Sequence, residues 1–445
     1  MALAADGRGP VGQFDDRTLT EESEELMRAS RTRRRVVVAA TTSAALVVGA
    51  VLVAGPAAAE PGAARPGSEG AAAAAAEPWA TDAPGMKSGT ATLPGTGPIH
   101  EFPAFPTPAG FSCEVAIANN GDLVSDEFVG NAMGVVDPHT GEVRDVPLPN
   151  PGGLPGGQNR GPDGHIWFGE VGGNALGEFD PETDEITTHA FPWANVGVPT
   201  QPLPVEINNG PGVSFDTTWA KDGKIYFTAI GLNAIGSFEP ESEEWELFPI
   251  PTPAAGPVAM EEGPGGTVAI TEGFANKVAT FDVDTHEWKE YSIPTPGVTF
   301  PAGLTVSPDD KYLYFGETLA SKIGRLDPAT GEIKEYDLLA MRQDLLGGSL
   351  SLGNPLPQPG QLRFGSDGKI YFVEGTFTGG SRIGQLDVEK NTLAEIDTPS
   401  PVSMPCDLNN TVPGKMIFAS FATNRISYFD IPNTVDISNT YPLHG

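Results

Sequence analysis

The chain has 445 residues, a net charge of −32, 55 glycines, 43 prolines and two cysteines. Glycine and proline together are nearly twice their usual share of roughly 12%, which fits many short strands joined by turns and excludes a helical bundle. The acidity excludes nucleic acid as a partner, because such binding rests on Lys and Arg neutralising phosphates, and two cysteines exclude a disulfide-framework mini-protein or a zinc knuckle.

At the N-terminus, Arg31-Thr32-Arg33-Arg34-Arg35 precedes an apolar run, Val36 to Val53, and Ala57-Ala58-Ala59 follows. Basic, apolar and small-residue regions in that order make a secretory signal. Thr32-Arg33-Arg34-Arg35-Val36-Val37 also resembles a twin-arginine export motif. Residues 1–59 are therefore expected to export the chain to a secreted or cell-envelope location, with no stable membrane partner once cleaved. An uncleaved anchor stays open, because the run reaches the roughly 17–25 residues needed to span a bilayer. Residues 60–97, rich in Ala, Gly and Pro, read as a disordered tether. The propeller described next is expected over 98–445.

From residue 99 onward one unit recurs. It is an apolar strand, a Gly-Pro-Asp-Gly-like turn, a strand resembling Ile-Trp-Phe-x-Glu, Asn-x-Ile-Gly opening a third strand, and a fourth strand ending in Pro. Clear copies are Gly161–Glu170 and Ser366–Glu374, and third-strand starts recur at Asn131, Asn174, Asn233, Asn276, Ser321, Ser381 and Asn424. Asp-Gly pairs supply the positive φ of two-residue hairpins, and Asp137-Pro138, Asp180-Pro181 and Asp327-Pro328 start type I turns. Four strands in about 40 residues is the spacing of a propeller blade. The last copy lacks a fourth strand, and Ile99–Pro108 matches the fourth strands Trp245–Pro253 and Trp288–Pro296. The expected fold is all-β: a seven-bladed β-propeller of four-stranded blades, its ring closed by an N-terminal strand.

These motifs, Gly-Pro-Asp-Gly-x-Ile-Trp-Phe-x-Glu, Asn-x-Ile-Gly and Glu-Tyr-x-Ile-Pro-Thr-Pro, resemble those of the streptogramin B (virginiamycin B) lyase-like propellers over 99–432. The resemblance implies a magnesium-assisted lyase that opens a cyclic depsipeptide by elimination at one mouth of the channel. There the family has a Glu-Pro-His run, a second His one blade earlier and a Glu ending the last blade's second strand. This chain has Met404-Pro405-Cys406, Gly360 and Ser420 at those places.

In a propeller the first strands line the channel, and the second-to-third and fourth-to-first connections share one face. Glu127, Glu170, Glu272, Glu317 and Glu374 recur near that face, either as an acidic ring for Mg²⁺ or Ca²⁺ or as partners of neighbouring loops. Glu114, Asp216 and Asp407 occupy a first-strand slot held by Gly157, Ala259 and Gly303 in other blades. Glu114 and Asp407 meet at the ring closure, where with Glu127 they would make a divalent-metal site or an acid/base pair; a solvated polar mouth is the other reading. Two long fourth-to-first connections, 193–214 and 340–358, place Trp193, Met341, Arg342 and Leu345 either over an apolar ligand or in a mobile rim. Asp216, Arg342 and Cys406 complete the expected substrate pocket. The six histidines read as surface residues, His165 in a hairpin and His189 on an outer strand among them, and offer no Ser-His-Asp or Cys-His arrangement.

Cys113 and Cys406 hold the same slot, each eight residues before a glycine (Gly121, Gly414), in blades one and seven. An exported protein can oxidise such a pair; two free thiols at the channel mouth, or plain core filling, are the other readings. Two functions stand open. One is an exported lyase or lactone/ester-cleaving enzyme acting on a small cyclic molecule with Mg²⁺ or Ca²⁺ and no organic cofactor. The other is a non-catalytic binding or scaffold propeller. Either works as a monomer with a small-molecule ligand, and fold alone does not choose between them.

Overall fold

In the computed structural model, residues 78–193, 213–345, 356–375 and 380–440 are described. The expected export signal, residues 60–77 of the expected tether and most of the two long connections lie outside them. Among the described residues no helix is long and apolar enough to cross a membrane.

Seven antiparallel sheets form the ring, six of four strands and one of five. The first strands are Ser112–Ile117, Pro155–Arg160, Thr217–Trp219, Pro257–Gly263, Pro301–Val306, Pro359–Phe364 and Pro405–Asn409. Each touches the first strand of the next blade, and the seventh touches the first, so the ring closes. The expected N-terminal strand, Pro98–Glu101, pairs with Arg425–Asp430 and completes blade seven.

The folded part begins earlier than the sequence suggests. Lys87–Thr92 adds a fifth strand outside Pro98–Glu101, so the tether does not run to residue 97. Leu93 is 2% exposed within the core of blades six and seven. Trp79 meets Tyr428 edge-on at 4.9 Å. The composition hides this strand because Lys-Ser-Gly-Thr-Ala-Thr is exposed along nearly its whole length, so it carries no period-two apolar pattern. Its register comes from backbone pairing with its neighbour.

The core is a set of seams between blades. Val115, Ile117, Leu123 and Val136 of blade one, for example, pack on Ile417, Ile426 and Tyr428 of blade seven. The repeat motifs explain the seams. The third-strand Asn sits in the left-handed region (φ 54 at Asn131, 57 at Asn276, 48 at Asn424), which Asn tolerates better than most side chains. There its side-chain oxygen accepts the amide that opens the next blade: Leu154 (2.9 Å), Ala255 (2.7 Å), Thr299 (3.0 Å) and, across the closure, Ser112 (3.0 Å). The glycine of Asn-x-Ile-Gly lies under an aromatic ring, since a Cβ at Gly177, Gly236, Gly324 or Gly384 would collide with Phe168, Phe227, Phe315 or Phe372. The Pro-Thr-Pro run is a clasp. Thr107, Thr252 and Thr295 each give backbone and hydroxyl donors to a carboxylate of the following blade, Asp145, Glu290 and Glu335.

Candidate functional site

First strands bulge after their opening residue, as the register shift between Ser112 and Val115 shows. A bulge leaves amides without ladder partners, and buried amides need acceptors. The penultimate residue of the second strand supplies them. Thr228 Oγ1 accepts from Phe215 and Asp216 (2.9 and 3.1 Å), and Thr271 Oγ1 from Ala259 (3.0 Å). In blade one, Asp126 Oδ1 accepts from Cys113 (3.2 Å) and Glu114 (2.5 Å).

The bulge slot points at the neighbouring blade. Asp216 Oδ2 accepts the Met260 amide at 2.8 Å, Asp407 Oδ2 the Val115 amide at 3.4 Å, and Gln361 Oε1 the Leu304 amide at 3.3 Å. These side chains therefore stitch first strands together. Glu114 is the exception in this set, since its carboxyl hydrogen-bonds Asp407. Burial, then the charges of Asp407, Asp216 and Asp126, push the Glu114 carboxyl well up. Burial also raises Asp407, while Arg363 and the Glu114 hydrogen bond pull it back.

Arg363 answers this acidity from the next position along the strand face. Its guanidinium donates to the Leu304 and Leu362 carbonyls (2.7 and 3.2 Å), lies 3.2 Å from Glu261 Oε2 and 3.9 Å from Asp407 Oδ1. Burial pushes Glu261 up to about 7 against the pull of Arg363. Asp126 Oδ2 and Glu261 Oε1 are buried without a hydrogen-bond partner. A polar recess lined by Val115, Gln158, Arg160, Arg363, Asp407 and Asn409 reaches this centre from the end where first strands finish. Cys113 and Cys406 form a disulfide across the closure, with Cα atoms 4.9 Å apart.

The structure thus brings Glu114, Asp407 and Cys406 together and sets Asp216 in the same slot, bonded to backbone. Two expected site residues are elsewhere. Glu127 follows Asp126 on the strand and so faces the other side of the sheet, where its Oε1 accepts from Asn424 at 2.6 Å. Arg342 is 1% exposed on the helix Leu338–Leu345. It pairs with Glu374 (2.5 Å) and Glu395, with Nε 2.7 Å from Glu395 Oε1, so it anchors the helix to blade six rather than roofing a ligand. Trp193 stacks on Phe191 at 5.5 Å, and Met341 packs against the core. Nor do the recurring glutamates ring the channel. Glu170 accepts from Thr188 (2.7 Å) and Asn150, and Glu374 is held by Arg342.

Sequence reasoning missed Glu261, Arg363 and Asp126. Glu261 and Arg363 lie two residues past the bulge slot, and period-two alternation places them on the same face as Glu114 and Asp407. Reading the repeats one step further along each first strand would have found them.

The magnesium implied by the resemblance does not fit this centre. Cys406 is spent in the disulfide, and the guanidinium of Arg363 stands among the acids where a cation would compete with it. Among the described residues, a group of three with ligand atoms within 4.8 Å of one another is formed by Asp163, His165 and Glu178, not by Glu114, Glu127 and Asp407.

The model of the virginiamycin B lyase family matches residues 207–345. Virginiamycin B lyase from Staphylococcus aureus is 20% identical, with a TM-score of 0.61 over 75% of this chain and 99% of that one. A streptogramin B lyase is 22% identical, with a TM-score of 0.61 over 76% and 98%. A catalytically inactive variant of the Staphylococcus aureus enzyme with quinupristin is 20% identical, with a TM-score of 0.59 over 78% and 99%. No curated protein matches the chain. At these identities the solved structures speak for the fold, and with the family model they bear out the resemblance carried by the repeats: the chain is a virginiamycin B lyase-like seven-bladed β-propeller.

Proposed function

We propose that this chain is an exported, non-catalytic binding propeller that takes an apolar small molecule on the face built from the second-to-third and fourth-to-first connections. One observation carries the reading. The large apolar side chains left exposed among the described residues are Val129, Phe274, Val298, Leu319, Leu356 and Val402, and every one lies on a connection of that face. A contiguous apolar patch on a domain surface marks a binding site, and the proposal takes these side chains as parts of one such patch. The lyase-like positions support the absence of chemistry, since Met404, Cys406, Gly360 and Ser420 offer neither a base nor a carboxylate. Export is supported by the Cys113–Cys406 bridge, because disulfides persist in oxidising compartments.

The apolar-surface dye anilinonaphthalene sulfonate tests the reading. The folded chain is expected to bind it saturably, and Phe274→Ser with Val298→Ser is expected to cut that binding several-fold with little change in melting temperature, as both side chains are more than half exposed. Dye binding that the double substitution leaves intact overturns the proposal. A second reading keeps one specific support. The Glu114 and Asp407 carboxyls hydrogen-bond each other in the channel, with burial raising both, and two adjacent carboxyls in such surroundings are what an acid/base couple acting on a lactone or ester needs.

A further inference from the structure

Blade two carries a cluster that its sister blades lack. Its hairpin residue Asp163 is part of the common scaffold. Oδ1 accepts from the His165 amide (3.0 Å) and Oδ2 from Trp167 Nε1 (3.1 Å). Asp222 and Asp367 accept in the same way from Tyr226 (2.9 Å) and Tyr371 (3.0 Å) in blades three and six. The surroundings differ. Two residues after this Asp, blade two has His165 where the others have Lys224 and Lys369. Opposite the aromatic residue, on the third strand, it has Glu178 where they have Ser237 and Gln385. On the fourth strand it has His189 where they have Phe248 and Ile396. Blades three and six form the same hairpin without any of these three residues.

They converge. His165 Nδ1 lies 2.6 Å from Glu178 Oε1 and 4.0 Å from Asp163 Oδ2, and His189 Nε2 lies 2.8 Å from Glu178 Oε2. We propose that Asp163, His165 and Glu178 bind a divalent transition-metal ion of the zinc class, on the face opposite the apolar rim. One imidazole nitrogen and two carboxylate oxygens suit zinc, whereas Mg²⁺ and Ca²⁺ take oxygen donors throughout. Zinc bonds of roughly 2.0–2.2 Å put tetrahedral donors about 3.4 Å apart, and the two distances from His165 bracket that value. Both carboxylates are already oriented, Asp163 by the His165 amide and the Trp167 indole, Glu178 by His189. Such outer partners hold ligands in place. His189 is itself held, stacked on Trp167 at 5.1 Å and against Phe238 at 5.2 Å, so it is a positioning residue. His165 and Asp163 are about one-third exposed, which leaves an entry path and room for water as the fourth ligand.

The test is a zinc titration of the chelator-stripped chain against a chromophoric competitor. One ion per chain is expected, with a Kd on the order of 10 μM or tighter. The substitutions take residues that sister blades hold at the same positions, so the fold accommodates them. His165→Lys and Glu178→Gln are expected to weaken binding by about a hundredfold, and His189→Phe by about tenfold. His286→Ala, on blade four, is expected to change nothing. Binding that survives His165→Lys, or no binding tighter than about 100 μM, overturns the proposal.

Discussion

At the level of single side chains, the first-strand slot of Glu114, Asp216, Gln361 and Asp407 shows how one position can look catalytic and be structural. Three of the four accept an amide of the neighbouring blade, and Arg363 offsets the charge they bury. The pH dependence follows. Burial pushes Glu261 up to about 7 and Glu127 and Glu272 up to about 8, against about 4.3 in an unfolded chain. Between those values the folded chain holds protons that the unfolded chain has released. Stability is therefore greater at pH 5.5 and lost as pH rises toward 8.5. Urea midpoints at the two pH values are expected to fall in that order, and Glu261→Gln to flatten part of the difference. Arg363→Met is expected to cost about 3–5 kcal/mol at pH 8.5 by stranding buried carboxylates, and less at pH 5.5, where Glu261 is protonated. A midpoint that climbs from pH 5.5 to 8.5 contradicts this account.

Among the elements, the fifth strand of blade seven moves the folded boundary. Removing residues 1–77 is expected to leave thermal stability unchanged. Removing 1–97 strips Leu93 from the core and uncovers Tyr428, at a cost of roughly 2–4 kcal/mol. Equal melting temperatures for the two truncations would show that Lys87–Thr92 adds nothing. Why this strand escaped sequence reading while the blades did not is a matter of what each buries. Ile166-Trp167-Phe168 and its copies are buried on both faces and punctuated by Asp-Gly turns, so both apolar run and turn chemistry are visible in the residues. Lys87–Thr92 buries almost nothing and is held by backbone pairing, which leaves no mark in composition. The blade-two cluster escaped for another reason. His165 sits in a hairpin turn and Glu178 and His189 on two different strands, and each alone is an ordinary surface residue.

For the whole molecule, ring closure was legible because the last repeat lacks the strand that Ile99–Pro108 resembles. The Cys113–Cys406 pairing was legible only as one of several readings, since it depends on how closely blades one and seven approach. The structure adds a second lock there, with Asn424 reaching Ser112 and Glu127 across the same seam. The channel centre is thus cross-linked by the disulfide and by the Glu114–Asp407 hydrogen bond, with Arg363 set among its acids, an arrangement suited to rigidity, and the exposed apolar side chains lie on the face above it. The proposed binding propeller rests on that division. The most direct measurement is mass spectrometry of quinupristin and a panel of simple lactones after incubation with the purified chain, with and without Mg²⁺. Unchanged substrate masses are the expected result. Mg²⁺-dependent ring opening that Asp407→Asn abolishes would contradict the account.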